Sequence, residues 1–315
     1  MLSPKLTEDQ IKIVLSRAGL NSAEHISKID IGFSNDVYAI GNKYIFKSSR
    51  SEKDNISFKK EVYLCSLLKD KIPVPTILFS DTNQSVIDRA CIIYGKIEGD
   101  NLYMRWHEYS IGEKKAVIKQ ICEYLKVINM TPFKDFADAF GIDITSSWRE
   151  KVTSKIQTAK RSAIEKKALP PDLESQVDRF VNKYKSVLDE SSIALTYFDV
   201  HFDNFLVRDG KVVGMVDFER TDILSIDYVL DLVQRMVDQP TKYASENAEP
   251  LIAAKDYVHL MDWYKEFYPE LFQFSHMDVR LKLYAIEHDL GDLYGWPGAD
   301  SLRQELAKNS SEMTK

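Results

Sequence analysis

The sequence predicts an α+β protein in two parts: a small antiparallel sheet carrying one long helix, followed by a larger, mainly helical region. Three observations predict it. Short runs rich in β-branched and aromatic residues, separated by turn residues, fill positions 29–49 and 76–96. A stretch of helical periodicity, Glu52 to Lys69, lies between them. Beyond Gly99 nearly every periodic stretch has helical spacing, so the composition shift at 95–100 marks a boundary. The expected division is 1–96 and 97–315, with a hinge at about 94–99.

Taken in order, Thr7-Glu-Asp-Gln10 reads as a capping box opening a helix through Arg17. Gly32-Phe-Ser-Asn-Asp36 is a turn, and Val37 to Ile40 and Tyr44 to Lys47 are strands joined by Gly41-Asn42. The helix Glu52 to Lys69 places Phe58, Val62, Cys65 and Leu68 on one face and is broken by Ile72-Pro-Val-Pro75. Strands follow at Thr76 to Ser80 and Ala90 to Lys96. Helices are then expected over Ile111–Met130, Thr145–Lys167, Asp172–Leu188, Ser225–Val237, Ala253–Phe267 and Met277–Trp296. The exception is a hairpin, Phe205-Leu-Val and Val212 to Val216, around Asp209-Gly210, a strong hairpin-turn dipeptide.

The 315 residues, 44% of them hydrophobic, suffice for two sizeable cores. Of the net charge of -6, the whole sum is reached within Asp231 to Lys315, where 15 acidic residues face 9 basic ones. That balance argues against nucleic acid and fits a cationic substrate; an ordinary solvated acidic surface explains it equally well. The basic stretch Lys151 to Lys167 has helical spacing and no interleaved aromatics, which suits a solvated face. Cys65, Cys91 and Cys122 form neither a disulfide framework nor a zinc pattern. With no signal-peptide core at the start and no stretch of membrane-spanning length, the cytoplasm is the expected location, without a membrane partner.

The residues with chemistry to offer are Asp199 and Asn204, in Asp-Val-His-Phe-Asp-Asn, and Asp217, in Met-Val-Asp-Phe-Glu. Phosphoryl transfer to a hydroxyl needs a carboxylate to orient the hydroxyl and accept its proton. It also needs an amide oxygen and a second carboxylate to hold magnesium on the nucleotide phosphates. Kinases place these groups as Asp-x-x-x-x-Asn, with the second acid on a turn after the next strand. Both pieces stand here in that order and spacing. Any one of the three residues alone would read as an ordinary turn residue.

These motifs resemble the aminoglycoside phosphotransferase and choline kinase-like superfamily from about Gly32 to Asp231, and on to Trp296 more loosely. The family's His-Gly-Asp-x-His-x-x-Asn is met by Tyr197-Phe198-Asp199-Val-His201-Phe-Asp-Asn204. Its magnesium turn is met by Val216-Asp217-Phe218-Glu219, and its downstream Asp-x-x-x-Asp-Leu by Asp227 to Leu232. The resemblance implies a two-lobed protein-kinase-like fold, with Asp199 as catalytic base and Asn204 and Asp217 as magnesium ligands. It further implies that Asp227 and Asp231 brace the catalytic loop, that His201 is structural, and that ATP or GTP is the donor. Asp203 reads as solvated.

Lys47 ends a strand of Tyr, Ile and Phe, where a charge is unexpected unless it faces a cleft. The family's phosphate-binding lysine has this context and pairs with a helix glutamate; Glu61 suits that role, and Glu52 competes for it. Ser34 and Asn35 sit where the family's reduced nucleotide loop meets phosphate. Tyr94, Lys96 and Ile97 sit at the interlobe linker, which is particularly similar to the aminoglycoside 2''-phosphotransferase branch. A bulky Tyr94 there would favour guanine over adenine; a core tyrosine indifferent to the base is the alternative. In that branch a C-terminal helix presents acids and aromatics to the aminosugar, which here picks out Glu287, His288, Asp292 and Trp296. A plain amphipathic helix packing Ile286, Leu290 and Leu293 is the competing account.

The chain departs from the family at Tyr197-Phe198, which replaces His-Gly. Tyrosine can substitute through its hydroxyl, whereas Phe198 adds bulk beside the base. The expected function is transfer of a γ-phosphate to a hydroxyl of a small polar substrate, an aminoglycoside first, as in antibiotic resistance. Choline or another metabolite alcohol is the alternative acceptor, held by aromatics such as Trp263 or Trp296, and a catalytically weak nucleotide-binding protein is the alternative of another class. A monomer or weak dimer is expected.

Overall fold

The computed structural model describes residues 6–21, 23–29, 35–50 and 55–311. The chain opens with α1 (Glu8–Arg17), β1 (Ile26–Ile29), β2 (Asn35–Ile40), β3 (Tyr44–Ser49), α2 (Asn55–Leu68), β4 (Ile77–Asp81) and β5 (Cys91–Gly95). It continues with β6 (Asp100–Asn101), α3 (Leu102–Trp106), α4 (Ile111–Asn129), α5 (Lys134–Phe140), α6 (Trp148–Glu165), α7 (Pro171–Tyr184) and β7 (Ile193–Thr196). The remainder is β8 (Phe205–Arg208), β9 (Lys211–Met215), β10 (Asp222–Ser225), α8 (Val229–Asp238), α9 (Leu260–Phe267), α10 (Met277–Gly295) and α11 (Asp300–Asn309). The fold is α+β, with a small antiparallel sheet and a larger helical part.

Strands β1 to β5 form one antiparallel sheet in the order β1-β2-β3-β5-β4. Because side chains alternate across a strand, the two faces of this sheet have different partners. Ile40, Phe46, Cys91 and Ile93 pack with Ile11, Val14 and Leu15 of α1, whose first turn carries the Thr7–Gln10 capping box. Ile92 and Tyr94 pack with Phe58 of α2. Lys47 follows Phe46 and lies opposite Ile92 in the register, so its side chain belongs to the α2 face.

A second sheet, β6-β8-β9, carries the expected hairpin. Asp209 (φ 51°) and Gly210 (φ 70°) both adopt the left-handed backbone that a tight two-residue hairpin turn requires. Two glycines let neighbouring chain pack against this hairpin. A Cβ on Gly214 would lie 2.9 Å from Ile97 Cδ1, and one on Gly99 would lie 2.8 Å from Val213 Cγ2 and 3.1 Å from the carbonyl oxygen of Val207. Gly99→Ala is therefore expected to cost about 1–3 kcal/mol through overpacking. A lowered urea midpoint at constant m-value would register it, and an unchanged midpoint would mean that this contact relaxes freely.

Some elements differ from expectation. Strands β7 and β10 pair in a two-stranded sheet where no strand was expected; at four residues each they are too short to display alternation. The helix expected over 253–267 is helical only in α9, preceded by a 3-10 turn at Ala254–Asp256. Helices α3, α5 and α11 are too short or too polar to announce themselves; α5 ends at Gly141 in the left-handed conformation of a C-cap.

The chain forms two compact units. One comprises Met1–Ile128, Tyr197–Asp222 and Arg235–Phe267; the other comprises Asn129–Thr196, Ile223–Gln234 and Tyr268–Lys315. In the second unit, α6 and α11 pack on α10, and α6 and α10 share a buried polar hub. Arg280, with no exposed surface, donates through Nε to Asp227 (2.8 Å), through Nη1 to the carbonyls of Val187 and Glu190, and through Nη2 to the Tyr284 hydroxyl (3.1 Å). The Tyr284 hydroxyl donates to Asp227 (2.8 Å) and accepts from Trp148 Nε1 (2.8 Å). Asp227, expected to brace the catalytic loop, is instead committed to this hub, because a buried carboxylate needs the nearest buried cation. Among the described residues no helix is long and apolar enough to cross a membrane.

Candidate active site

The first unit gathers the charges. Lys47, 6% exposed, has its Nζ 2.7 Å from Glu61 Oε2, 2.9 Å from Asp217 Oδ1 and 3.1 Å from Glu219 Oε2. Strand β3 delivers the lysine and α2 delivers Glu61 from the facing helix; the turn after β9 delivers the other two acids. Burial by itself would lower the lysine pKa, but the charges of Asp217, Glu61 and Glu219 together outweigh it and hold it well above its usual value. Burial raises Glu61 and Glu219, and Lys47 opposes that rise in both. Asn35 Nδ2 donates to Glu219 Oε2 (2.9 Å), tying the start of β2 to the same cluster.

Carboxylate oxygens of Glu61, Asp217 and Glu219 lie within 4.8 Å of one another, a spacing suited to one shared cation, and Lys47 Nζ stands among them. Asp217 has φ 62°, a left-handed conformation that few residues other than Gly, Asn and Asp tolerate. Its backbone is anchored from one residue away. The Tyr197 hydroxyl donates to the carbonyl of Val216 (2.7 Å), and the Tyr197 ring packs 5.0 Å from that of Phe218.

Asp199, 9% exposed, and Asn204, 4% exposed, share one loop. Asn204 Nδ2 donates to the backbone carbonyl of Asp199 (2.9 Å) and approaches His201 Nε2 (3.2 Å), while the Val216 amide donates to the Asn204 carbonyl (3.0 Å). The loop 199–204 and the acidic turn are thus laced together. His201 Nε2 is also 3.4 Å from Asp199 Oδ1. One nitrogen cannot both accept from Asn204 and donate to Asp199, so the ring tautomer decides which of the two it holds. Arg220 reaches Asp199 Oδ2 at 3.8 Å, its guanidinium 5.2 Å from the Phe198 ring centre.

Tyr94 is buried beneath the sheet, its hydroxyl pushed well above the usual value by burial and then by the charge of Glu61, which it faces. Lys96 is exposed, its amide donating to the Lys43 carbonyl (2.8 Å), and Ile97 is half-buried against Gly214. Asp203 is not solvated: it is half-buried, and burial raises its carboxyl pKa. Ser34 and Glu52 lie outside the described residues. Glu287, His288, Asp292 and Trp296 are all in the second unit. There Glu287 accepts from the Tyr228 hydroxyl, and His288 Nδ1 lies 3.1 Å from Asp231, with Nε2 3.9 Å from Asp292. Trp296 is exposed. Glu219 and Arg220 are the site residues that sequence reasoning passed over. Glu219 had a signal: it is a second acid two residues after Asp217 in the same short turn, within reach of the same buried lysine.

A buried lysine shared between a helix glutamate and a turn aspartate, on a small antiparallel sheet joined to a helical region, defines the class as a kinase-like phosphotransferase. Residues 25–232 match the model of the phosphotransferase enzyme family (APH), and the chain belongs to that family. Among solved structures it is similar to the gentamicin complex of APH(2'')-IIa, with 15% identity, 99% of this chain and 98% of that chain covered, and a TM-score of 0.71. It is similar also to the streptomycin–ATP ternary complex of APH(2'')-IIa (15% identity, 98% and 99% covered, TM-score 0.66). The GDP complex of wild-type aminoglycoside 2'-phosphotransferase-IIIa is a third match (17% identity, 97% and 98% covered, TM-score 0.66). At these identities the likeness is one of fold. Among curated proteins, none matches the chain.

Proposed function

We propose that this phosphotransferase is a small-molecule kinase that uses ATP or GTP with magnesium and phosphorylates a hydroxyl of a small, cationic, polar acceptor, an aminoglycoside first. The observation that carries the reading is Lys47, held at 2.7 Å by Glu61 and at 2.9 Å by Asp217. A lysine so fixed is a preorganised positive charge for phosphate oxygens. Asp199 is the proposed base, and Asn204 and Asp217 are the proposed magnesium ligands.

The donor set fits that ion. Magnesium takes hard oxygen ligands, and Asn204 directs its amide nitrogen to Asp199 and His201, which leaves its side-chain oxygen to coordinate. Asp217 commits one carboxylate oxygen to Lys47 and retains a second. When bound, magnesium supplies charge neutralisation on the phosphates. The chain does the rest: Lys47 binds phosphate, Asp199 orients the acceptor hydroxyl and takes its proton, and Tyr197 fixes the carbonyl preceding Asp217. Residues 94–99 are the proposed hinge between a nucleotide lobe, 1–96, and a catalytic lobe, 97–315. The chain is proposed to work in the cytoplasm as a monomer or weak dimer, with neither nucleic acid nor membrane as partner. Solved complexes of similar fold hold gentamicin, streptomycin with ATP, and GDP, which supports the choice of acceptor and leaves both donors open.

Purified protein incubated with ATP or GTP and magnesium against aminoglycosides, choline and neutral sugars tests the proposal. Phosphorylated aminoglycoside, seen by mass spectrometry, is the expected product; phosphorylated choline alone would reassign the acceptor, and no product with any acceptor would refute the kinase reading. Tyr197→Phe is expected to remove one hydrogen bond worth about 1 kcal/mol. Because that bond steadies Asp217, kcat should drop several-fold, and an unchanged kcat would show that the hydroxyl does no positioning.

A further inference from the structure

Beside the catalytic loop lies a polar cluster that the proposed mechanism leaves unused. Asp203 stands next to Asn204, and its Oδ1 is buried without a hydrogen-bond partner. The hydroxyls of Tyr103 and Tyr257, residues each 1% exposed, are likewise buried and unpartnered, as is Nδ1 of His201. The rings bring these atoms into one neighbourhood. Phe202 lies between the two tyrosines, 5.3 Å from the Tyr103 ring and 5.7 Å from the Tyr257 ring, and Trp106 packs 4.6 Å from Phe202 and 6.1 Å from Tyr257.

Four unsatisfied polar atoms in one place are unusual, because a buried polar group without a partner is costly. The carboxylate is the most telling. Among the described residues no lysine or arginine pairs with Asp203. Asn101 donates to its backbone carbonyl (3.1 Å) and also reaches the carboxyl group, to which the Ser245 amide supplies a further hydrogen bond; Oδ1 is still left without a partner. A half-buried acid with one oxygen unclaimed, close enough for its charge to act on the two tyrosine hydroxyls and next in sequence to the Phe202 ring cluster, has the composition of an organic-ammonium site. The cation pairs with the carboxylate, its N–H groups reach the hydroxyl oxygens, and the rings face its positive charge. A divalent metal fits less well, since it asks for several anionic or carbonyl oxygens and finds one carboxylate.

We propose that Asp203, Tyr103 and Tyr257 form the subsite that receives a protonated amine of the acceptor. This deepens the kinase reading and rests on it for the identity of the ligand. The position suits the role: His201, two residues before Asp203, is 3.4 Å from the carboxylate of Asp199, so an amine held here leaves the rest of the acceptor beside the base. Residues 243 and 245 contact the cluster. The Tyr243 ring stacks on His201 at 6.5 Å, and Ser245 reaches Asp203 from the same segment. The chain is pinned further on, where Lys114 Nζ meets Asp256 Oδ1 (2.6 Å) and Trp106 Nε1 donates to the Asp256 carbonyl (3.0 Å).

Isothermal titration calorimetry of the full chain with kanamycin, choline and glucose tests the subsite without requiring turnover. Wild type should bind at least one of the two cations and not glucose; a preference between them tells a primary from a quaternary amine. Asp203→Asn, which keeps shape and removes charge, should weaken cation binding by roughly tenfold or more, and Tyr257→Phe by several-fold. Circular dichroism identifies a variant that has lost its fold, in which case the tyrosine variant carries the comparison. Cation affinity unchanged in both variants, or no cation binding by wild type, overturns the subsite. The two readings fail separately. Phosphoryl transfer with an acceptor KM untouched by Asp203→Asn removes the subsite and leaves the kinase; cation binding sensitive to residue 203 without any transfer does the reverse.

Discussion

Asp199→Ala is expected to lower kcat by about 10²- to 10⁴-fold, the range that a positioned general base contributes, while nucleotide affinity stays close to wild type. The reasoning starts from the separation of tasks in the site. The carboxylate of Asp199 contacts His201 at 3.4 Å and Arg220 at 3.8 Å, and it makes no ion pair with Lys47. Lys47 is committed to Glu61, Asp217 and Glu219. Removing the proposed base therefore leaves Lys47, the proposed phosphate-binding residue, and its acids in place. Steady-state kinetics combined with nucleotide titration separates the two effects, and turnover unchanged in the variant would remove Asp199 from the mechanism.

Lys47→Met carries the largest expected effect on stability. The side chain of Lys47 is 8% exposed and that of Glu61 is 2% exposed, so solvent screens their contact little. Breaking one partner of a buried ion pair typically costs about 3–5 kcal/mol, because the remaining charge is left uncompensated. Here three carboxylates would be left facing one another. Lys47→Met combined with Glu61→Gln should recover part of that loss, a coupling of about 1–3 kcal/mol in a double-mutant cycle. The pH dependence has a definite sign. Lys47 has its folded pKa raised above the unfolded lysine value of about 10.4. Its contribution is therefore complete below that pH and declines as pH rises from there toward the folded value. The stability gap between wild type and Lys47→Met, measured by denaturant unfolding, should narrow above pH about 10.4. A gap that widens instead would contradict the assignment.

How much of this is legible in the sequence depends on whether a contact is local or long-range. The Lys47–Glu61 contact is legible because a charge at the end of an apolar strand demands a counter-charge, and a helix 14 residues on can supply it. The hairpin at Asp209-Gly210 is legible because its backbone needs positive φ at two successive residues. The hub of Asp227 is not legible: its arginine lies 53 residues away, and nothing in local spacing distinguishes Arg280 from a surface residue. The amine-site tyrosines have the same difficulty, since Tyr103 and Tyr257 meet only through the folding of distant segments around Phe202.

Phe198 shows how a departure from a family pattern can gain a physical reason. In sequence it is bulk beside the base. In the structure its ring lies 5.2 Å from the guanidinium of Arg220, and that arginine reaches Asp199 at 3.8 Å. An aromatic platform at 198 and a cation at 220 account for each other, and neither position suggests this alone.

The central claim is that Lys47, Asn204 and Asp217 together hold a magnesium-bound nucleotide. Titrating ATP and GTP into wild type and Asp217→Asn, with magnesium and with EDTA, tests it most directly. The account predicts magnesium-dependent binding by wild type that falls at least about tenfold in Asp217→Asn, as expected for loss of a charge-assisted ligand. Equal nucleotide affinity in both proteins, indifferent to magnesium, would contradict it.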